Sequence, residues 1–169
     1  MLLAMGIVVR IFGAWCYEYS LSSDHGVAAL MAKHMAEGGD APVFFYGQPY
    51  LGSLEPAVCS LFFRLFGVSG FVLNLGTALF GMLLLPAVYL WGKGAGGRTA
   101  GLAALAFCLV GPEYYFQYQC WGNGGYAALI LANTLVLWLT ARIVARELAG
   151  EIRSRLSHSA VQAAVYVRL

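Results

Sequence analysis

The residues best suited to chemistry are concentrated in one segment, residues 24–55, which begins with an Asp and ends with a Glu. Asp24 lies shortly after a long apolar run, where its carboxylate could accept a proton from a hydroxyl nucleophile as a general base. The same residue could equally act as a helix N-cap, because Asp is among the best capping residues and a helical pattern opens at His25. The sequence leaves both roles open.

Other residues of this segment are suited to binding. His25 could tune Asp24 or hold a metal or phosphate, although a solvated loop histidine is the commoner case. Glu55 follows Ser53 at a predicted helix start, where Ser53 can cap and the helix dipole favours an acid, so a structural role is preferred. The turn 46–52 offers aromatic faces and an amide, which suit a sugar, a prenyl lipid or the membrane interface. The binding candidates are His25, Lys33, Tyr46, Gln48, Tyr50, Glu55 and Arg10.

The cysteines and the glycine-rich segment predict neither a metal site nor a nucleotide site. Cys16, Cys59, Cys108 and Cys120 form no CxxC pair and no Cys/His cluster with metal-ligand spacing, so we expect buried apolar thiols. Residues 92–97 match GxGxxG formally, but they join two apolar helices instead of opening a helix after a strand. No metal ligands and no nucleotide site are therefore assigned, and a metal requirement is not determined by the sequence.

The composition around these residues is that of an integral membrane protein. Of the 169 residues, 60% are hydrophobic and 11% are charged, whereas about a quarter of a soluble domain is charged. The mean hydropathy is +0.72. A net charge of +2 is too small for a nucleic-acid surface, and most Lys and Arg residues lie at the ends of apolar runs. Membrane lipid is the expected partner, and nucleic acid is excluded.

The apolar pattern predicts an all-α, polytopic membrane protein with about four transmembrane helices. Residues 71–90 carry no charge and match the roughly 20 residues that a span needs. Further spans are predicted at 1–17, 99–116 and 124–141. Arg10 lies inside the first span, so it must be sheltered by protein or reach the surface, and we expect it to reach the surface.

Two juxtamembrane helices are predicted in the first outer loop. The first covers residues 25–37 and the second residues 51–66, which are too short and too charged for a span. Each carries an apolar stripe at helical spacing that we expect to face the membrane. The stripes consist of Val27, Leu30, Met31 and Met35 in the first helix and of Val58, Leu61, Phe62 and Leu65 in the second.

Basic residues predict the orientation. Lys93 and Arg98 lie in one short connection, and Arg142, Arg146, Arg153 and Arg155 follow the last span. The positive-inside rule places both groups in the cytoplasm. Residues 18–70 and the turn after residue 116 then share the outer face. The expected location is the bacterial inner membrane, with the site facing the periplasm or exterior.

The order of these features resembles the N-terminal part of the GT-C glycosyltransferases that use polyprenyl-phosphate sugars. This group includes the protein O-mannosyltransferases and the bacterial lipid A aminoarabinose and galacturonic acid transferases. The resemblance rests on Arg10, on Asp24-His25 and on the Gly47-Gln48-Pro49-Tyr50 turn. It extends through residues 61–69 and the helix pair joined around Gly97-Arg98. It covers residues 1–146; residues 147–169 are expected to form a cytoplasmic amphipathic tail or to mark the point where a longer protein is cut.

The resemblance implies inverting transfer of a sugar from a polyprenyl-phosphate carrier to an acceptor hydroxyl at the outer membrane face. Asp24 would be the catalytic base, while Lys33, Arg10 and Arg64 are the nearby cations for the departing phosphate. Two features depart from the family. The acidic pair of the first loop is Asp-His here, and residues 111–125 contain Glu113 but no Asp at the start of the next span.

Two other functions remain open from the sequence. A non-enzymatic membrane scaffold or assembly protein would use the surface helices and the aromatic turn as an interaction surface. A transporter is less favoured, because no span carries a paired intramembrane charge or a clear break. The enzyme could also be inactive as this short chain, and the sugar, the acceptor and the oligomeric state are not determined by the sequence.

Overall fold

The structure, a computed structural model, describes the backbone of residues 1–166 and the side chains of residues 1–151. The described chain is mainly helical, as predicted. A two-stranded antiparallel hairpin replaces part of the predicted turn at residues 46–52. In chain order the elements are α1 (Leu2–Cys16), α2 (Ser23–Ala36), β1 (Phe44–Phe45), β2 (Gln48–Gly52), α3 (Leu54–Phe66), α4 (Gly70–Leu109), α5 (Glu113–Gln117) and α6 (Tyr126–Tyr166).

Helix α4 consists of two antiparallel segments. Gly96 and Gly97 leave the helical backbone, and Gly97 has a φ of 75°, a conformation that favours glycine. Beyond this break the chain returns along itself, since a Cβ atom at Gly92 would lie 2.8 Å from the carbonyl oxygen of Ala100. The predicted connection between two helices around Gly97-Arg98 is therefore confirmed.

Two helices, Gly70–Leu109 and Tyr126–Glu151, are long and apolar enough to cross a membrane. Helix α1 is a shorter apolar helix of 15 residues. These lengths weakly indicate a membrane protein with two candidate spans. The count of four spans and the orientation of the chain stay predictions from the sequence.

The chain divides into two compact units, Met1–Thr134 and Leu135–Leu169. The second unit is helical through Tyr166, and in it the Arg142 guanidinium lies 5.1 Å from the ring centroid of Trp138. The predicted amphipathic tail falls largely on side chains outside the described residues. The first unit contains every candidate site residue.

Helix α3 connects α2 to α4, because it packs on both of these helices. Ala32, Cys59, Phe63 and Leu73 form one buried cluster that joins the three helices. A Cβ atom at Gly76 would lie 2.7 Å from Cys59 Sγ, so α3 and α4 are in direct contact at this glycine. Helix α1 packs separately on α4.

The predicted membrane-facing stripe of α2 is wrong for its two methionines. Met31 and Met35 are buried against Phe45, because the hairpin folds over this side of the helix. In α3, Leu61 and Leu65 are exposed, so this part of the second stripe stays uncovered. The apolar periodicity of a helix cannot by itself distinguish lipid from a neighbouring hairpin.

The cysteines follow the expectation in three of four positions. Cys59, Cys108 and Cys120 are buried thiols, whereas Cys16 at the end of α1 is exposed. None of the four forms a disulfide.

Candidate functional site

Residues 18–70 contact the turn after residue 116, with which they were predicted to share the outer face. Trp121 donates from Nε1 to the carbonyl oxygen of Ser20 at 2.8 Å. Ser22 donates from Oγ to Asn123 Oδ1 at 3.1 Å. Residues 20–22 are therefore bound directly to the loop after α5.

Asp24 is not the N-cap of α2, so one of its two predicted roles is excluded. The cap is Ser22, whose Oγ accepts a hydrogen bond from the His25 amide at 3.1 Å. Asp24 lies in the first turn, where the helix dipole favours an acid. Its half-buried carboxylate accepts a hydrogen bond from Gln48 Nε2, with 3.1 Å between Oδ1 and the nitrogen. The hairpin therefore orients this carboxylate.

His25 is buried, and the expectation of a solvated histidine is wrong. Only 2% of the residue is exposed. Its ring stacks on Trp121 with 5.7 Å between centroids and 22° between planes. Burial lowers the pKa of His25, and the hydrogen bond to Asn74 opposes this shift only in part. A neutral ring follows at pH 7, so His25 does not act on Asp24 as a cation.

Asn74 on α4 joins His25 to two other segments. Its Nδ2 donates to the carbonyl oxygen of Ala14 at 3.1 Å, and its Oδ1 accepts from the Gly122 amide at 3.0 Å. Because Oδ1 is the atom that faces His25 Nε2, at 3.1 Å, the histidine must donate from Nε2. His25 Nδ1 then carries a lone pair, and no described residue donates to it.

Glu55 is buried at the start of α3, with 2% of the residue exposed. Thr77 Oγ1 donates to its Oε1 at 2.9 Å. Burial raises the pKa of Glu55 to about 7, although Thr77 and the backbone amides of Gly125, Ala127 and Ala128 favour the ionised form. The acid therefore interacts with the start of α6.

Ser53 is the N-cap residue of α3, as predicted, but its side chain does not cap the helix. This serine makes no cap hydrogen bond in α3, and its Oγ donates to the carbonyl oxygen of Pro42. Glu55 lies in the first turn of α3 as predicted, but its carboxyl group interacts with backbone amides at the start of α6. A charge at a helix start does not reveal which helix it stabilises.

A cavity of about 270 Å³ lies beside Glu55. It is bounded by the end of the hairpin, the start of α3 and the first turns of α6. Asp24 is not among its lining residues, so the two acids do not line this cavity together. The lining residues are Tyr50, Leu51, Gly52, Leu54, Glu55, Gly125, Ala128, Leu129 and Ala132.

Two further binding candidates lie outside this cavity. Lys33 is exposed and pairs with Glu37 across one helical turn, with 3.8 Å between Nζ and Oε1. Tyr46 has its hydroxyl group 3.4 Å from His34 Nδ1. Both side chains belong to the surface formed by α2 and the hairpin turn.

Arg64, a predicted phosphate ligand, is bound to the end of α2. Its Nη2 donates to the carbonyl oxygen of Met35 at 2.5 Å and its Nε to that of Ala36 at 3.2 Å. These contacts satisfy carbonyl groups that a helix end leaves unpaired. Arg64 therefore has a structural role in joining α2 to α3.

Arg10 is buried, so the expectation that it reaches the surface is wrong. None of its side chain is exposed. Its Nη2 donates to Gln119 Oε1 at 2.6 Å, and the guanidinium carbon lies 5.9 Å from the ring centroid of Phe116. Among the described side chains, no carboxylate forms an ion pair with it. Arg10 is sheltered by protein, because the segment after α5 folds over it.

Three residues with central contacts, Asn74, Thr77 and Gln119, are not identified by the sequence reasoning. Asn74 and Thr77 interrupt an otherwise apolar run three positions apart, which places them on one face of a helix. Polar residues inside a predicted span are a recognised sign of functional or interhelical contacts. That signal could have found these two residues. Gln119 lies in a polar loop and carries no comparable signal.

Within residues 1–151, no group of three or more His, Cys, Asp or Glu side chains is placed to hold a metal ion. The chain matches no family model, no curated protein and no solved structure. The resemblance to the GT-C glycosyltransferases therefore stays a prediction from the sequence.

Proposed function

We propose that this chain is part of a membrane glycosyltransferase that moves a sugar from a polyprenyl-phosphate carrier to an acceptor hydroxyl group. Asp24 is the general base. The observation that supports this role is the availability of its carboxylate: Ser22 caps the helix, and Gln48 holds only Oδ1. No described residue donates to Oδ2, so this oxygen can approach an acceptor hydroxyl group.

The reaction that this geometry suits is a direct displacement. Asp24 Oδ2 takes the proton of the acceptor hydroxyl while the hydroxyl oxygen attacks the anomeric carbon of the donor. The bond between that carbon and the phosphate oxygen breaks, and the carrier phosphate leaves with the bonding electrons. A single displacement inverts the configuration. Gln48 contributes by holding the base in one orientation, which favours a reactive approach.

A second candidate is a non-enzymatic membrane scaffold or assembly protein. The departing phosphate needs a nearby positive charge, yet the three predicted cations already have partners. Arg10 is bound to Gln119, Arg64 to the end of α2, and Lys33 to Glu37. Lys33 keeps half of its side chain exposed and is the one of these three that a substrate could still reach.

A transfer assay separates the two candidates. The full-length protein is reconstituted into liposomes with radiolabelled polyprenyl-phosphate mannose, aminoarabinose or galacturonic acid, and label in the acceptor fraction is measured. Asp24→Asn should lower the rate by about 10²–10⁴-fold, the usual contribution of a general base. Asp40→Asn is the matched control, because Asp40 is exposed outside the helices and should leave the rate unchanged.

Each outcome favours one candidate. Undiminished transfer by Asp24→Asn would remove Asp24 from the mechanism. Failure of the folded wild-type protein to transfer any of the three sugars, to any acceptor in a membrane extract, would favour the scaffold.

A further inference from the structure

Glu55 lines the cavity and carries a carboxyl oxygen to which the fold supplies no hydrogen bond. Thr77 occupies Oε1, and no described residue makes a hydrogen bond of normal geometry with Oε2. Only 2% of the residue is exposed to solvent. A buried carboxyl oxygen without a donor is costly, because it loses its bonds to water and gains none in return. A ligand that brings a donor would remove this cost.

The position of Glu55 is fixed from three sides. Proline follows it in the first turn of α3, and Thr77 on α4 holds Oε1. Gly125, with a φ of 117°, brings the start of α6 against Leu51 of the hairpin. A side chain held in this way presents Oε2 in one place, which a weak ligand needs for specific binding.

The charges around Glu55 indicate which kind of hydrogen-bond donor suits Oε2. An ionised Glu55 repels anions, so a phosphate group is unsuited to this cavity. The amides of Gly125, Ala127 and Ala128 already stabilise the carboxylate, so a full positive charge is not needed for compensation. Among the described side chains, the other titratable group that interacts with Glu55 is Cys59, and burial raises the pKa of its thiol so that it stays neutral. A neutral hydroxyl group is the donor that fits.

The residues that line the cavity indicate which kind of molecule could carry this hydroxyl group. Leu51, Leu54 and Leu129 are apolar, and Tyr50 stands exposed beside the cavity with an aromatic face. A sugar ring combines hydroxyl donors at its edge with an apolar face, so it matches an acceptor that is surrounded by leucines and an aromatic ring.

We infer that this cavity binds a neutral pyranose ring, one of whose hydroxyl groups donates to Glu55 Oε2 while the apolar face of the ring lies on the leucine wall. As the subsite for the acceptor sugar, the inference rests on the proposed function. As a binding site, it is tested without any transfer reaction. Glu55 is then a specificity-determining residue, separate from the general base Asp24.

Binding is measured by saturation-transfer NMR on the full chain in nanodiscs, with methyl α-mannopyranoside and methyl β-glucopyranoside as probes. Glu55→Gln keeps the shape of the side chain and removes the charge-assisted hydrogen bond, so the Kd of the better probe should rise about tenfold to a hundredfold. Binding should also strengthen from pH 5.5 to pH 8.5 as Glu55 ionises, and this dependence should disappear in Glu55→Gln.

A second variant tests the cavity without touching the carboxyl group. Ala132→Leu adds bulk to the lining and should weaken binding at least tenfold. Asn133→Leu is the matched control, because Asn133 is the adjacent exposed residue, does not line the cavity and should bind as the wild type does. Thermal unfolding of each variant identifies losses that come from misfolding.

The inference would be overturned if neither glycoside binds, or if Glu55→Gln or folded Ala132→Leu binds with wild-type affinity. Tighter binding of n-butylammonium or mannose 1-phosphate than of the glycosides would also overturn it.

Failure of this inference can be distinguished from failure of the proposed function. Glu55-dependent glycoside binding without transfer of any sugar would support the site and refute the enzyme. Asp24-dependent transfer with an unchanged acceptor KM in Glu55→Gln would support the enzyme and refute the site.

Discussion

Replacing Asn74 with alanine should loosen the connection between α4 and the segments that carry the site. Asn74 is fully buried. Its three hydrogen bonds join α4 to α1 through Ala14, to α2 through His25 and to the loop after α5 through Gly122. Alanine would leave one carbonyl oxygen and two N–H groups without their partner.

The size of the effect follows from these three groups. Each buried polar group left unpaired costs about 1–3 kcal/mol, so the full loss lies between about 3 and about 9 kcal/mol. Gly122 belongs to a loop, where the backbone can shift toward water more easily than in a helix. We therefore expect the free energy of unfolding to fall by about 3–5 kcal/mol, a large part of the total stability of a typical domain.

The measurement is denaturant unfolding in detergent micelles, followed by tryptophan fluorescence because Trp121 stacks on His25. Asn123→Ala is the matched control, since it removes a single partly buried hydrogen bond with Ser22 and should cost about 1 kcal/mol. The double variant Asn74→Ala/His25→Ala should be less destabilised than the sum of its single variants, because the two side chains share a bond. If Asn74→Ala is no more destabilising than Asn123→Ala, these hydrogen bonds do not hold the site segments together.

Two further perturbations test other contacts of the first unit. Because burial raises the pKa of Glu55 from 4.5 to about 7, the folded state binds its proton more tightly. The stabilisation is complete below pH 4.5 and is lost as the pH rises through 7, an effect of about 3 kcal/mol. Unfolding measured from pH 4 to 8.5 should show this loss in the wild type and in Glu37→Gln but not in Glu55→Gln; an equal slope in Glu55→Gln would contradict the assignment. Gly81→Ala should destabilise by about 1–3 kcal/mol, because its Cβ atom would lie 2.7 Å from the Gln119 carbonyl oxygen. Gly26→Ala, which meets no atom within 4 Å, should be neutral or stabilising, and equal melting temperatures for the two variants would contradict the packing argument.

Some local properties of the chain were predicted correctly from the sequence. They are the helical character and the break around Gly97-Arg98, because apolar runs and glycines act through short-range preferences. The position of Asp24 at the beginning of a helix was predicted for the same reason. The sequence left its capping role open beside that of a general base, and in the structure Ser22 is the cap.

The burial of individual side chains could not be predicted from the sequence. Arg10 was expected at the surface and His25 in solvent, yet both are buried because partners distant in sequence cover them: Gln119 for Arg10 and Asn74 for His25. The methionines of α2 were predicted to face the membrane. Helical periodicity identifies the apolar face of a helix, but it does not show that a hairpin covers that face.

Composition and periodicity are properties of neighbouring residues, so the amino-acid order alone was enough to predict a helical, strongly apolar chain with one polar segment at residues 24–55. The different environments of the two acids, Asp24 and Glu55, depended on tertiary packing. Asp24 keeps an open carboxylate because Ser22 caps its helix, whereas Glu55 is enclosed because α4 and α6 close around it. Burial and hydrogen-bond partners come from segments distant in sequence, and these contacts exist only once the helices have packed.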